Sequence, residues 1–471
     1  AMALIQWLAV TLLPALAGAA PPPCSKSNDT VCDAVGLLQT KRVDDEWTSP
    51  RDLAFVRPPL PMTWGSHTFH FFSVVPVFGK GTGYIALLHD YVEELWDYSE
   101  QNQLFCASMD GRHSAAMKFR GGDKDVAYKV VMAFHCPWPQ EAADGVYHFA
   151  VRNDQGEKLG EVSVRQAPGM LGHYGAVACV GEAFIAPGTV PSSVRAPQWF
   201  EYYLMHGVSH FIVYTQDGMD EEFVKVFRRY LEDGVATRVH LNPNQASQDS
   251  YAIQHRTTND CLYRAKHHAK WLSTTIDWDE YLRLGENAPP AWHSRSFIPT
   301  LWDKIASNFS KRRDQVHSMI LQRYNFVQPA VTELDITSNL RQNESAKALC
   351  PKFWVNPDVV DAAFIHWATS WENGTDAIQV PAEMAFLNHY RLGFRQELDA
   401  EDLKAMVRDK TLLPEVPALQ QALGARFHEP WETVRAAVLP AAPGSSLLRT
   451  QVAWDCWCTV HKASGNPYDL S

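Results

Sequence analysis

The sequence predicts an α/β protein in which an open sheet wrapped by helices follows a small, mostly-β region. Three observations carry this. From Ala176 onward, short apolar runs alternate with stretches whose apolar residues recur at helical spacing. That alternation builds open sheets that take ligands at their strand C-terminal ends. Between about Thr68 and Val164 the apolar runs are short, extended and separated by turn residues. The composition, 46% apolar and 20% charged over 471 residues, is ordinary for a globular chain of two or three domains.

The elements follow in chain order. Ala3–Ala20 carries no charge, ends in small residues and precedes Pro21, Pro22 and Pro23. Residues 1–20 therefore read as a signal peptide. The run is also near the ~20 residues that span a bilayer, so an uncleaved single-pass type II membrane anchor is the alternative. Both place the remainder in the secretory pathway: in the Golgi lumen or membrane if anchored, secreted if the signal is cleaved. Residues 21–65, rich in Pro and Ser, read as a stem or linker. Residues 66–168 read as a β-rich accessory domain with runs at Phe69–Phe78, Val126–Phe134, Val146–Val151 and Glu161–Arg165. The tetrad Asn153-Asp154-Gln155-Gly156 marks a hairpin between the last two.

Residues 174–405 form the main domain. Its predicted strands are Ala176–Val180, Val208–Tyr214, Val235–Leu241 and Trp271–Ile276. A helix over Val194–His206 ends at Gly207. A second, carrying Phe223, Val226, Phe227, Tyr230 and Leu231, ends at Gly234, and a third spans about Ser250 to Lys270. Residues 406–471 are a C-terminal extension.

Several function classes drop out. Forty-two basic against 53 acidic residues, net −11, argue against a nucleic-acid partner. No Gly-x-Gly-x-x-Gly follows the first α/β strand, and no Gly-x-x-x-x-Gly-Lys-Ser/Thr occurs. The nine cysteines include no Cys-x-x-Cys, against a zinc site. Cys24 with Cys32 and Cys106 with Cys136 are the natural local pairs, whereas Cys456 and Cys458 are too close to bond each other. Sequons stand at Asn28, Asn308, Asn343 and Asn373.

The chemistry concentrates at Asp277-Trp278-Asp279-Glu280-Tyr281, after the fourth strand. Alternation along an extended chain puts Asp277 and Asp279 on one side. Such clustered carboxylates repel unless a cation sits among them, and a hard divalent ion, Mn²⁺ or Mg²⁺, is the natural one.

In order along the chain stand Ala178-Cys179-Val180, Trp199-Phe200-Glu201-Tyr202-Tyr203, His206-Gly207-Val208-Ser209-His210, Asn259-Asp260-Cys261, the acidic run, Ile365-His366 and Asn388-His389-Tyr390-Arg391. Together they resemble glycosyltransferase family 92. The resemblance implies a GT-A-like (Rossmann-like) fold and a metal-dependent, inverting transferase. Such an enzyme moves a hexose, most plausibly galactose, from a UDP-sugar to a glycan acceptor. It implies that Asp277 and Asp279 hold the metal, with Asp277 also contacting the nucleotide sugar. His366 and His389 are then metal or phosphate ligands, Arg391 backs the diphosphate, and Glu280 supports from behind. Two departures stand out: Tyr214-Thr215-Gln216-Asp217 where the family has Tyr-Asp-Asn, and Trp278 in place of a small β-branched residue. The alternative from another class is a catalytically inactive secreted carbohydrate-binding protein. A metal-dependent hydrolase is disfavoured, since no His-Glu-x-x-His occurs.

Overall fold

A computed structural model describes residues 52–54 and, between 62 and 434, all but 70, 80–81, 91, 112, 121–130, 139–144, 166–171, 181–191, 216–220, 241–249, 275, 294–295, 329–333, 343–350, 395–403, 405 and 430–432. The signal or anchor segment, Cys24, Cys32, Asn28, Asn343, Gln216, Asp217, Cys456 and Cys458 lie outside the described residues.

The chain opens with β1 (Asp52–Ala54) and a hairpin of β2 (Met62–Trp64) and β3 (His67–Phe69). Next come β4 (Ser73–Gly79), β5 (Thr82–Asp90), α1 (Glu93–Gln101), β6 (Phe105–Ser108), β7 (Ser114–Ala116) and β8 (Lys118–Arg120). β9 (Val131–Pro137), β10 (Val146–Arg152) and β11 (Lys158–Arg165) complete two antiparallel sheets, ordered β4-β5-β9-β8 and β11-β10-β6-β7. The turn at Asn153–Gly156 joins β10 to β11, with Gly156 at φ 80° where a side chain would be strained. The period of two sorts the first sheet's side chains into two cores. Val74, Ile85, Leu87, Met132 and Phe134 face the second sheet, while Val75, Ala86, Leu88, Val131 and Ala133 join the core of the α/β sheet. A disulfide joins Cys106 on β6 to Cys136 on β9, the local pair expected.

The α/β part runs β12 (Tyr174–Val180), α2 (Ser192–Met205), β13 (His210–Thr215), α3 (Glu221–Glu232), β14 (Ala236–His240), α4 (Ser250–Ala265) and β15 (Ala269–Ser273). α2 and α3 end as read. Gly207 and Gly234 take φ of 96° and 73°, and the amides of Val208 and Val235 turn back onto Tyr203 and Tyr230. The four strands are parallel in the order β14-β13-β12-β15, with β1 added at the far edge. The chain starts at β12, moves outward to β14, and returns to the other side at β15. The gap between β12 and β15 is thus the topological switch point, where open sheets bind ligands. A disulfide that the spacing did not predict, Cys179–Cys261, ties β12 to α4.

There follow β16 (Glu280–Leu284), α5 (Ile298–Asn308), β17 (Val316–Leu321), β18 (Arg323–Gln328), β19 (Leu340–Gln342), β20 (Lys352–Val355), β21 (Val360–Ala363) and β22 (Ala368–Trp371). β23 (Asp376–Gln379), β24 (Ala385–Phe394), β25 (Met406–Arg408) and α6 (Val416–Phe427) close the described chain. Antiparallel β20, then β17 and β23, extend the main sheet past β15 to eight strands. β16 belongs elsewhere, to a five-stranded sheet β16-β24-β18-β19-β25. The fold is therefore mixed α/β, and its acidic run differs from expectation. The fourth strand stops at Ser273, so Asp277–Asp279 form the turn crossing between sheets and Glu280 opens β16. Among the described residues no helix is long and apolar enough to cross a membrane. Asn308 and Asn373 are exposed.

Candidate active site

The crossing turn brings together side chains from both sheets at the C-terminal ends of the parallel strands. Asp277, its side chain 51% exposed, accepts a hydrogen bond from Lys352 Nζ at 2.8 Å. Lys352 is the first residue of β20, 3% exposed at its side chain, and also lies 3.3 Å from Glu280 Oε2. Asp279 accepts from Arg195 Nη1 at 2.9 Å, and its Oδ1 stands 3.4 Å from His389 Nε2. Glu280 is fully buried, with Oε1 at 3.6 Å from both His389 Nδ1 and Arg323 Nη1. Arg195 comes from α2, Arg323 opens β18, and His389 sits on β24 directly across from Glu280. Asp335 is buried 3.7 Å from Arg195 Nε.

The expected repulsion among the acids is therefore answered within the chain: Lys352, Arg195 and Arg323 are the cations among the carboxylates. Burial moves the remaining groups. His389 is held below the usual imidazole range by desolvation, opposed by Asp279 and Glu280, so its ring is neutral. His366 falls to about 3 through burial and the nearby charge of Lys352. Its Nδ1 donates to the Pro351 carbonyl at 2.8 Å, since a carbonyl only accepts, which leaves Nε2 as the acceptor nitrogen. Asp335 is pushed up to about 6 by burial, against the pull of Arg195.

These groups can be tested for a divalent ion. With the His389 proton on Nδ1, facing Glu280, the Nε2 lone pair lies beside Asp279 Oδ1. Glu280 Oε1, 3.6 Å from Nδ1, stands on the side from which a carboxylate orients a metal-ligating imidazole. One or two protein donors completed by phosphate oxygens and water suit Mg²⁺ or Mn²⁺. The donors fit, although among the described residues no group of three His, Cys, Asp or Glu side chains converges on one point.

Of the residues singled out from sequence, Asp279 and His389 are brought together, with Glu280 behind the imidazole. Asp277 and His366 lie on the Lys352 side. Arg391 is on β24, and its side chain lies outside the described set. Trp278 sends its bulk into the core, edge-on to Trp199 and Phe200 at 5.3 Å each and tilted against Phe223. It anchors the turn between α2 and α3. Arg195, Lys352, Arg323 and Asp335 were missed. A signal existed for two of them. Lys352-Phe-Trp-Val and Arg323-Tyr-Asn-Phe-Val each set a cation at the head of an apolar run, where burial demands a partner.

The carboxylate–imidazole cluster lies inside a stretch that is similar to a known family. Residues 194–420 match the family model of glycosyltransferase family 92, so the resemblance carried by the motifs holds across the whole cluster.

Two curated relatives are similar over a shorter stretch. Galactan beta-1,4-galactosyltransferase GALS3 of Arabidopsis thaliana is 28% identical over 95 residues, 20% of this chain and 19% of that protein. Galactan beta-1,4-galactosyltransferase GALS2 of Arabidopsis thaliana is 29% identical over 93 residues, 19% of this chain and 18% of that protein. The chain thus spans under a fifth of the length of the relatives it matches.

Proposed function

We propose that this chain is an inverting, metal-dependent glycosyltransferase that transfers a hexose from a UDP-sugar to a glycan acceptor. Galactose is the first donor to test, because both relatives carry galactosyltransferase names. The observation that carries the reading is the Asp279–His389–Glu280 cluster at the β12/β15 switch point, inside the family match. We read the eight-stranded sheet as GT-A-like, with residues 66–168 as its accessory layer. Mn²⁺ or Mg²⁺, when bound, clamps the diphosphate and neutralises charge on the departing UDP. The chain's own residues prepare that place. Asp279 and His389 present an oxygen and a neutral nitrogen, Glu280 orients the imidazole, and half-exposed Asp277 faces the open side. Lys352 and His366 are assigned to the diphosphate side, and for Arg391 the same role rests on the family resemblance alone. The apolar N-terminal run supports a place in the secretory pathway, anchored or secreted. UDP release from UDP-galactose, measured with and without Mn²⁺ and with a galactan or N-glycan acceptor, tests the reading. A chain that binds glycan but releases no UDP from any UDP-hexose is instead the inactive binding protein.

A further inference from the structure

Asp279 is tied down at both ends. Its carbonyl accepts the Tyr390 N–H at 2.9 Å, and its Oδ2 accepts Arg195 Nη1 at 2.9 Å. Arg195 Nη2 then donates to the Tyr390 carbonyl at 3.3 Å, closing a ring from the turn through α2 to β24. Behind the guanidinium, Asp335 Oδ2 lies 3.7 Å from Arg195 Nε and accepts from the Tyr281 hydroxyl at 3.3 Å. The Asp335 amide donates to Gln198 Oε1 at 2.8 Å. Gln198 is three residues beyond Arg195, so both side chains leave the same face of α2. The planar fork thus bonds two acceptors in fixed directions, Asp279 Oδ2 and the Tyr390 carbonyl, with the Asp335 carboxyl as a neighbouring charge; a compact ammonium lacks that rigid spacing. With Oδ2 committed to Arg195, the oxygen beside His389 Nε2 is Oδ1.

We propose that Arg195, held near Asp335, is a positioning residue that fixes the orientation of the Asp279 carboxylate beside His389. This rests on the function proposed above. The site then offers an ion one carboxylate oxygen and one imidazole nitrogen at a set separation, and the fork maintains that separation.

The test is Mn²⁺ affinity in the presence of UDP, measured by calorimetry well below each melting transition. The proteins compared are the wild-type chain, Arg195→Lys, Asp335→Asn and the double variant Arg195→Met/Asp335→Asn. Arg195→Lys keeps the charge but loses the fork. The double variant removes the Asp335 charge together with its arginine, so Asp279, 17% exposed, is the one carboxylate it releases. Mn²⁺ affinity drops about tenfold in Arg195→Lys and further in the double variant, as loss of support behind a ligand does. UDP binding without metal stays unchanged, and kcat falls more than KM rises. Asp335→Asn, which keeps its shape and its fold, shows a smaller loss of the same kind. Wild-type Mn²⁺ affinity in Asp335→Asn and in the folded Arg195 variants overturns the positioning role alone. A wild-type chain that binds neither UDP nor Mn²⁺ with UDP overturns the function it rests on as well.

Discussion

Asp260 and Asp279 are both aspartates set beside a buried arginine within the α/β part of the chain, and their surroundings could hardly be less alike. Asp260, on α4, is fully buried. It accepts from Ser73 on β4, from Tyr214 on β13 at 2.5 Å, and from the Arg264 fork at 2.6 and 3.2 Å. All are within hydrogen-bond distance, and the partners come from the first β sheet, the main sheet and the helix between. Around Asp279 the spacing is looser. Its own 2.9 Å bond to Arg195 is good, but the separations to His389 and onward to Glu280 are 3.4 and 3.6 Å. Glu280 Oε1, His389 Nδ1 and Arg323 Nε have no hydrogen-bond partner among the described residues. A closed buried network fixes structure, and an open one has room for a ligand to complete it. Asp260 is a lock; Asp279 belongs to the candidate site.

The contrast can be broken by exchanging what each aspartate does. Asp279→Ala is expected to lower UDP-galactose turnover by at least ~10³-fold, about 4 kcal/mol of barrier, with a smaller loss of stability than in Asp260→Ala, because Arg195 keeps Asp335 and the Tyr390 carbonyl. A melting temperature that collapses in step with turnover would make Asp279 a structural residue. Asp260→Ala should do the reverse. It strands Arg264 in the core at a cost of ~3–5 kcal/mol in denaturant unfolding, with turnover per folded molecule unchanged.

Glu280→Gln sharpens the comparison from inside the site. Without the charge behind His389, turnover and Mn²⁺ affinity drop about 10–100-fold. Equal activity in the two proteins would remove Glu280 from the account.

The smallest effect is on pH dependence. Burial lowers His317 to about 4 and His366 to about 3, below the ~6.5 of an unfolded chain. Between those values the unfolded state binds more protons, so their stabilisation is complete above pH ~6.5 and declines as pH falls. Asp335, raised to about 6, opposes them: its folded form holds a proton that an unfolded carboxyl has released, so its contribution is lost as pH rises through about 6. His389 is depressed as well, so three histidines stand against the raised carboxyls Asp335 and Glu201, and stability decreases as pH falls from 6 to 4. Denaturant unfolding at three pH values measures the slope, and His317→Asn should flatten it.

Much of this was legible in the sequence, for local reasons. Apolar runs marked the strands from Ala176 onward, and Gly207 and Gly234, both at positive φ, marked the ends of α2 and α3. Three acids in four residues marked the site. What sequence hid was non-local. Apolar residues flank the acidic run on both sides, so nothing in the pattern shows that the chain leaves one sheet at Ser273 and enters another at Glu280. The cations that answer the acids lie far off along the chain, Arg195 before the run and Lys352 after it, and only the folded sheets bring them together. The first β sheet read as a layer of its own because alternation does not reveal what covers a strand's second face. Here Val75, Ala86 and Ala133 give that face to the α/β core.

The central claim is that the crossing turn between the two sheets is the donor site of a glycosyltransferase. Its most direct test is UDP release from UDP-galactose by the full chain, with a glycan acceptor, as Mn²⁺ is titrated and then removed by chelation. The account predicts turnover that rises with Mn²⁺, disappears on chelation, returns on re-addition, and is absent from Asp279→Ala throughout. Turnover that is indifferent to the metal and equal in wild-type and Asp279→Ala proteins would contradict it.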